Sequence, residues 1–205
     1  MFALSSLSLP DGVYLLGMST ITIAYHSGYG HTKKVAEAIA GGVGSVTGVT
    51  VHILDVTKVD EAIGAYSSGW EALEASDGIL FGSPTYMAGP SAPFKTFADA
   101  SSKPWFGWKW KDKMAAGFSN SGSNAGDKAG TLGYLFSLAS QHGMIWVSIG
   151  LKSEGDINRN GFHQGLGTQS DNASPEETPG KADLETGRLF GVRFAEAVNR
   201  WVKGA

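Results

Sequence analysis

The chain predicts an α/β fold: a doubly wound, five-stranded parallel sheet of order 2-1-3-4-5 with helices on both faces, a three-layer sandwich. Two patterns point to it. Short apolar runs recur without the polar alternation of a half-exposed sheet, as suits strands buried on both faces. Helical patterns with a single apolar stripe fall between those runs, which calls for right-handed crossovers. The length, 205 residues with 42% hydrophobic content, is consistent with one core, and neither a linker nor an internal repeat divides it.

The expected strands are Thr20–Tyr25, Val49–Asp55, Gly78–Ser83, Met114–Phe118 and Met144–Ile149, each rich in Ile, Val, Phe, Leu or Ala. A helix starts near Thr32, where Val35, Ala36, Ile39, Ala40 and Val43 share one face. Phe194, Ala195, Val198, Trp201 and Val202 form a matching stripe near the C-terminus, and helices are also expected within 61–76, 91–100 and 128–142. Two stretches fit no element. Residues 101–113, SSKPWFGWKWKDK, are aromatic and basic, and 150–182 form a long Gly-, Asn-, Ser- and Pro-rich segment of the kind that is functional or disordered. Residues 1–17, MFALSSLSLPDGVYLLG, carry no Lys or Arg, contain Asp11 and are interrupted by Pro10. They are therefore expected to be a loose extension rather than a signal peptide, ahead of a single domain over 18–205. A chain starting at Met18 is expected to fold and bind its cofactor normally.

Composition excludes several chemistries. There is no cysteine, hence no disulfide framework, thiolate nucleophile, Cys-based zinc site or iron–sulfur cluster. Any redox chemistry must come from a bound cofactor. Net charge is -3 and the pI about 5.9, so no bulk attraction to nucleic acid is expected. No apolar run reaches the length of a membrane span. No histidine pair has metal-ligand spacing on one helix, and no metal is expected. His31 is expected to offer its backbone N–H, His52 to pack in a strand, and His26 and His163 to be exposed. A cytoplasmic location follows the same reading.

Chemistry concentrates where strands end. Ser27-Gly28-Tyr29-Gly30-His31-Thr32 joins the first strand to a helix start, whose free N–H groups and partial positive charge favour an anion. Lys33 stands where a dinucleotide fingerprint needs its third glycine, and the loop is not a Walker A sequence. A hydroxyl-rich loop suited to a terminal phosphate remains; alternatively Thr32 only caps the helix. Similar loops follow the third and fourth strands: Pro84-Thr85-Tyr86-Met87-Ala88-Gly89-Pro90 and Ser119-Asn120-Ser121-Gly122-Ser123-Asn124-Ala125-Gly126. In a sheet of order 2-1-3-4-5 these three loops meet where the order reverses, the usual ligand crevice. Together they suit a planar heterocycle bearing a phosphate.

The motifs SGYGHT, SPTYMAG, SNSGSNAG and QHGM make the chain, over roughly residues 20–202, resemble the flavodoxin-like FMN proteins, in particular the WrbA-type NAD(P)H:quinone oxidoreductases. The resemblance implies an FMN-dependent enzyme passing two electrons from NADH or NADPH to a quinone-like acceptor. It implies phosphate contacts at Ser27, Tyr29, Gly30, His31 and Thr32, and ring contacts at Pro84, Thr85, Tyr86, Met87 and Ala88. Ring or ribityl contacts are implied at Ser119, Asn120, Ser121, Gly122, Ser123 and Asn124. His142 matches a family histidine near the flavin; the alternative is a helix-end histidine on the dipole. Trp105 falls where the family carries a tryptophan that reaches a neighbouring subunit's flavin, and could equally plug its own chain. His142 and Tyr86 are the candidates for a hydrogen bond to the acceptor. A homodimer or homotetramer is implied too.

The chain departs from the family where Tyr86 replaces its usual arginine and where Asn120, Asn124 and Asp127 make the third loop poorer in glycine. Two rival readings stand beside the enzyme. One is a flavodoxin-type carrier docking to protein partners, although a charge of -3 gives no strongly acidic face. The other is a degenerate, non-catalytic protein of the same fold. A receiver-type regulator fails because the third strand ends in Gly82-Ser83, with no carboxylate to phosphorylate.

Overall fold

The computed structural model describes residues 18–204, so the expectations for residues 1–17 lie outside it. Strands β1 (Ser19–Tyr25), β2 (Val49–Asp55), β3 (Gly78–Tyr86) and β5 (Met114–Ser121) form a parallel sheet, joined by β6 (Ile145–Trp146). The order is β2-β1-β3-β5-β6, with direction of winding reversing between β1 and β3. That is the expected 2-1-3-4-5 arrangement of the main strands. A two-residue β4 (Gly89–Pro90) folds back antiparallel on the end of β3.

Helices α1 (His31–Gly44) and α6 (Lys181–Lys203) cover one face of the sheet, where Ile21, Ile23, Ile39, Val43, Phe190 and Phe194 are buried together. The two helices cross closely at Gly42 and Gly191. A Cβ on Gly42 would collide with the Arg188 carbonyl, and one on Gly191 with the Ile39 carbonyl. Helices α2 (Gly69–Ala75), α3 (Ala92–Ala100) and α5 (Lys128–Gln141) cover the other face over Leu73, Ile79, Phe81, Phe94, Trp110 and Leu135. A short α4 (Ser102–Phe106) opens the aromatic 101–113 stretch.

Three expectations need correction. The helix expected across 61–76 occupies only Gly69–Ala75, because Ser68 caps it: the Ser68 hydroxyl accepts from the Glu71 N–H at 3.2 Å. The strand expected at Met144–Ile149 is split. After Ile145–Trp146 the chain leaves the sheet and returns as β7 (Leu166–Gln169), which pairs with the far half of β5. Val147 keeps one backbone bond to β5, its N–H donating to the Ala115 carbonyl at 2.7 Å, and Val147 and Ile149 owe their apolar pattern to burial in the core. Consequently 150–182 is not one unstructured loop: it supplies a sheet strand and the first turn of α6. No helix among the described residues is long and apolar enough to cross a membrane.

Candidate functional site

A cavity of about 490 Å³ opens at the carboxyl ends of β1, β3 and β5, where the winding reverses. Its base is the start of α1. Gly30 is the helix N-cap at φ 95, a left-handed conformation that glycine adopts freely. The Ser27 hydroxyl accepts the Gly30 N–H at 3.1 Å, which fixes the turn. The Lys34 N–H bonds the Gly30 carbonyl at 3.1 Å and begins the helical ladder. The N–H groups of His31, Thr32 and Lys33 precede that ladder and have no intrahelical acceptor.

Thr32 is not the cap. It lies in the first turn, is 1% exposed, and lines the cavity, where among the described residues its hydroxyl has no hydrogen-bond partner. His31 turns its ring aside, Nε2 lying 2.9 Å from the Ala173 carbonyl, so it offers the cavity its backbone. Among the described residues no lysine or arginine lines the cavity.

The second wall comes from β3, which runs three residues further than expected and carries Pro84, Thr85 and Tyr86 with it. The Thr85 hydroxyl is engaged in the protein, 2.8 Å from Ser119 Oγ and 2.7 Å from Thr131 Oγ1. The Tyr86 ring folds over Gly28, where any Cβ would run into its hydroxyl. It also meets the exposed Tyr29 ring edge-on, with centroids 6.2 Å apart. Burial, and secondarily Tyr29, push the Tyr86 phenol pKa upward. Met87 and Ala88 then turn the chain with φ 46 and φ 67. Two consecutive non-glycine residues in this region store strain at the rim of the site.

The third wall also begins inside a strand. Ser119, Asn120 and Ser121 belong to β5, and Ser119 donates to the Ser83 carbonyl at 2.8 Å. The Asn120 amide is held between Thr168 and Ser170, 2.9 Å from each hydroxyl. Asn120, Ser121 and Gly122 reach the cavity, and Ser123 lines a neighbouring opening of about 440 Å³ beside Met87 and Ala88. Thr85, Ser121 and Gly122 border both spaces, so the two openings lie side by side. Asn124 holds the loop through its carbonyl, which accepts from Lys128 Nζ at 2.6 Å.

Residues 23–151 match the model of the NADPH-dependent FMN reductases. The chain is 40% identical to flavodoxin FldP of Pseudomonas aeruginosa over 185 residues, 87% of this chain and 96% of the relative. It superimposes on a WrbA-like flavodoxin of Agrobacterium tumefaciens with a TM-score of 0.68 and 44% identity, covering 89% of this chain and 98% of that one. The chain belongs to the NADPH-dependent FMN reductase family. An NAD(P)H dehydrogenase (quinone) of Trichlorobacter lovleyi is 30% identical over 147 residues, 64% of this chain and 72% of the relative.

As a flavodoxin-like FMN reductase family member the chain is an FMN-binding oxidoreductase with NAD(P)H as its donor. The cavity fits that cofactor. An anion is matched by unpaired helix amides and by the Thr32 hydroxyl, and the aromatic rings of Tyr29 and Tyr86 with the polar Asn120 and Ser121 line the space beyond.

Two of the expected residues are not among those lining the cavity of this chain. His142 is 3% exposed; its Nε2 bonds Ser101 Oγ at 2.9 Å and its ring lies 4.2 Å from that of Trp110. It does not line the cavity within this chain, and burial pushes its pKa down to about 4. The helix end draws it inward because Gly143, at φ 70, turns the chain at that point. Trp105 likewise packs on its own chain, donating Nε1–H to the Gln141 carbonyl at 2.8 Å. His26, expected to be exposed, has Nδ1 2.8 Å from Ser91 Oγ.

The sequence reading missed a fourth wall. Residues 170–175 after β7 close over the α1 start, with Ser170, Asp171, Asn172 and Pro175 lining the cavity. Pro175 sits 3.0 Å from where a Gly30 Cβ would stand, and Lys34 Nζ holds the Glu176 carbonyl at 3.0 Å. The run Ser170-Asp171-Asn172 had the same small, polar character as the other three loops, but nothing in the sequence joined it to them. The buried Lys128 was also missed.

Proposed function

We propose that this protein passes two electrons from NADH or NADPH to a quinone-like acceptor in the cytoplasm. The observation that carries the reading is the cavity at the unpaired amides of α1, adjoined through Thr85, Ser121 and Gly122 by the opening beside Met87 and Ala88. The quinone-dehydrogenase relative supports the acceptor class.

FMN, when bound, supplies the redox chemistry by accepting an electron pair from the nicotinamide and giving it to the acceptor. The chain's residues orient it. The amides of His31, Thr32 and Lys33 with the Thr32 and Ser27 hydroxyls hold the phosphate; Ser27 accepts from Gly30 through its oxygen and keeps its own proton to donate. Tyr29, Pro84 and Thr85 would hold the ribityl chain, and Tyr86, Met87 and Ala88 would hold the ring from one side. Ser119 acts through the wall it braces, while Asn120, Ser121, Gly122, Ser123 and Asn124 would form the opposite side. Tyr86 is the side chain placed to donate a hydrogen bond to an acceptor oxygen, a phenol being protonated at neutral pH.

The purified, FMN-loaded protein is expected to consume NADH or NADPH continuously in the presence of a benzoquinone. A second reading, a flavodoxin-type carrier serving protein partners, is favoured by the 40% identity to FldP. No pyridine-nucleotide consumption, with electrons accepted only from a separate reductase, decides for the carrier.

A further inference from the structure

The described residues contain one buried cation that the phosphate and acceptor assignments leave unused. Lys128 opens α5 directly beneath the third wall of the cleft and is 0% exposed, among the largest fully buried side chains. Lysine is almost never fully buried without a partner. Here the ammonium spends its three N–H groups on neutral acceptors: Ser121 Oγ at 2.7 Å, the Ser123 carbonyl at 3.0 Å and the Asn124 carbonyl at 2.6 Å. Its remaining neighbour is the Phe162 ring, 5.4 Å from Nζ to centroid, a favourable cation–π contact.

Among the described residues no carboxylate pairs with Lys128 directly. The buried acid in its surroundings is Asp183 of α6, and that carboxylate is taken by Arg159, at 2.7 and 2.9 Å, and by the Gln169 N–H at 2.8 Å. Arg159 faces the ammonium with the same sign as its own. Asp127 adjoins it in sequence, outside the protein's salt bridges, and Asp171 lies across the cleft with its Oδ1 engaged by Gln169. A buried charge without a counter-ion is costly and favours any anion that arrives beside it. The one hydroxyl between Lys128 and the cleft is Ser121, which lines the cavity.

We propose that Lys128 is a positioning residue for the flavin: it fixes the Ser121–Asn124 loop and makes the cleft bind reduced, more negative FMN in preference to oxidised FMN. The inference rests on the FMN reading above. The geometry gives the loop its shape, because both carbonyls are drawn inward to Nζ and the Ser121 side chain is held between Nζ and the Ser123 carbonyl. The charge gives the preference, since a flavin that has gained two electrons and fewer than two protons carries extra negative charge. Burial pushes the Lys128 pKa down to about 8, so the ammonium is present at neutral pH and is lost above that range.

The test is spectroelectrochemical titration of FMN-loaded wild type, Lys128→Met and Lys128→Gln, with oxidised-FMN affinity measured alongside. Glutamine keeps N–H donors for the loop but removes the charge. In both variants the affinity of reduced relative to oxidised FMN is expected to fall by about tenfold, which for a two-electron couple is ~30 mV in midpoint potential. In the wild type the potential is also expected to fall more steeply with pH above about 8 than it does in Lys128→Gln. A purely structural lysine would weaken both forms of FMN equally, leaving the potential and its pH profile at wild-type values; that result overturns the inference. Should Lys128→Met fail to fold, Lys128→Gln and the wild-type pH profile decide. Wild type that binds no FMN at any pH removes the cofactor assignment and the inference together, whereas FMN bound with unchanged potentials removes the inference alone.

Discussion

At the scale of single residues, the site divides between side chains that face the cleft and side chains that hold its walls. Thr32 faces it. Replacing its hydroxyl by a methyl in Thr32→Val keeps shape and burial but removes one donor to a charged phosphate. FMN affinity is expected to fall by roughly ten- to a hundredfold, about 1.5–3 kcal/mol, with riboflavin binding unchanged; fluorescence quenching on titration measures both. His142 holds rather than faces. Its His142→Gln variant is expected to reduce quinone at the wild-type rate, against the role that sequence resemblance suggested. Its depressed pKa belongs instead to acid stability. The folded histidine has its pKa pushed down to about 4, below the ordinary value of 6.5, so the unfolded chain binds the extra proton first. That contribution to stability is complete above pH 6.5 and is lost as pH falls toward 4, amounting to about 3 kcal/mol at the low end. Urea melts from pH 7 to 4 are expected to show that loss in wild type and to lose it in His142→Gln. A wild-type slope in the variant would move the titrating group elsewhere.

At the scale of elements, the turn between β3 and β4 and the crossing of α1 with α6 make opposite predictions. Ala88 sits at φ 67 with no glycine to relieve it. Ala88→Gly removes left-handed strain of about 1–2 kcal/mol against an entropy cost of about 0.5–1, so a small net rise in melting temperature is expected. Slower quinone turnover is expected with it, because the softened turn forms one wall of the cleft. Gly42→Ala does the reverse: its Cβ has only the rigid Arg188 carbonyl to meet, and the helices must separate. A loss of about 1–3 kcal/mol in thermal melts is expected. Much of this scale could be read in advance. The stripe of Val35, Ile39 and Val43 located α1, and the runs at Ile21, Ile79 and Ala115 located strands in their observed order, because burial on both faces leaves a continuous apolar signal. The fifth strand was legible only in part. Trp146 and Leu166 occupy neighbouring stretches of one sheet edge although 147–165 separate them, and no local pattern encodes that return.

At the scale of the whole molecule, the three sequence-visible loops do meet at the reversal point, and the fourth, 170–175, joins them only through tertiary contact. The loops were legible because small polar residues after an apolar strand need no long-range information; Lys128 was not, since a lysine opening a helix normally looks solvated. The same scale bears on assembly. Phe106 is 78% exposed and Trp108 is 55% exposed, both beside Trp105. We propose that a homodimer or homotetramer covers them, and Phe106→Ser is expected to shift sedimentation toward monomer. The central claim, however, is that the start of α1 holds the phosphate of FMN. Titration of the FMN-free protein with FMN and with riboflavin tests it most directly. FMN is expected to bind more tightly by on the order of a hundredfold or more, the worth of about two charge-assisted hydrogen bonds, whereas equal affinities would place the phosphate outside the α1 loop and contradict the account.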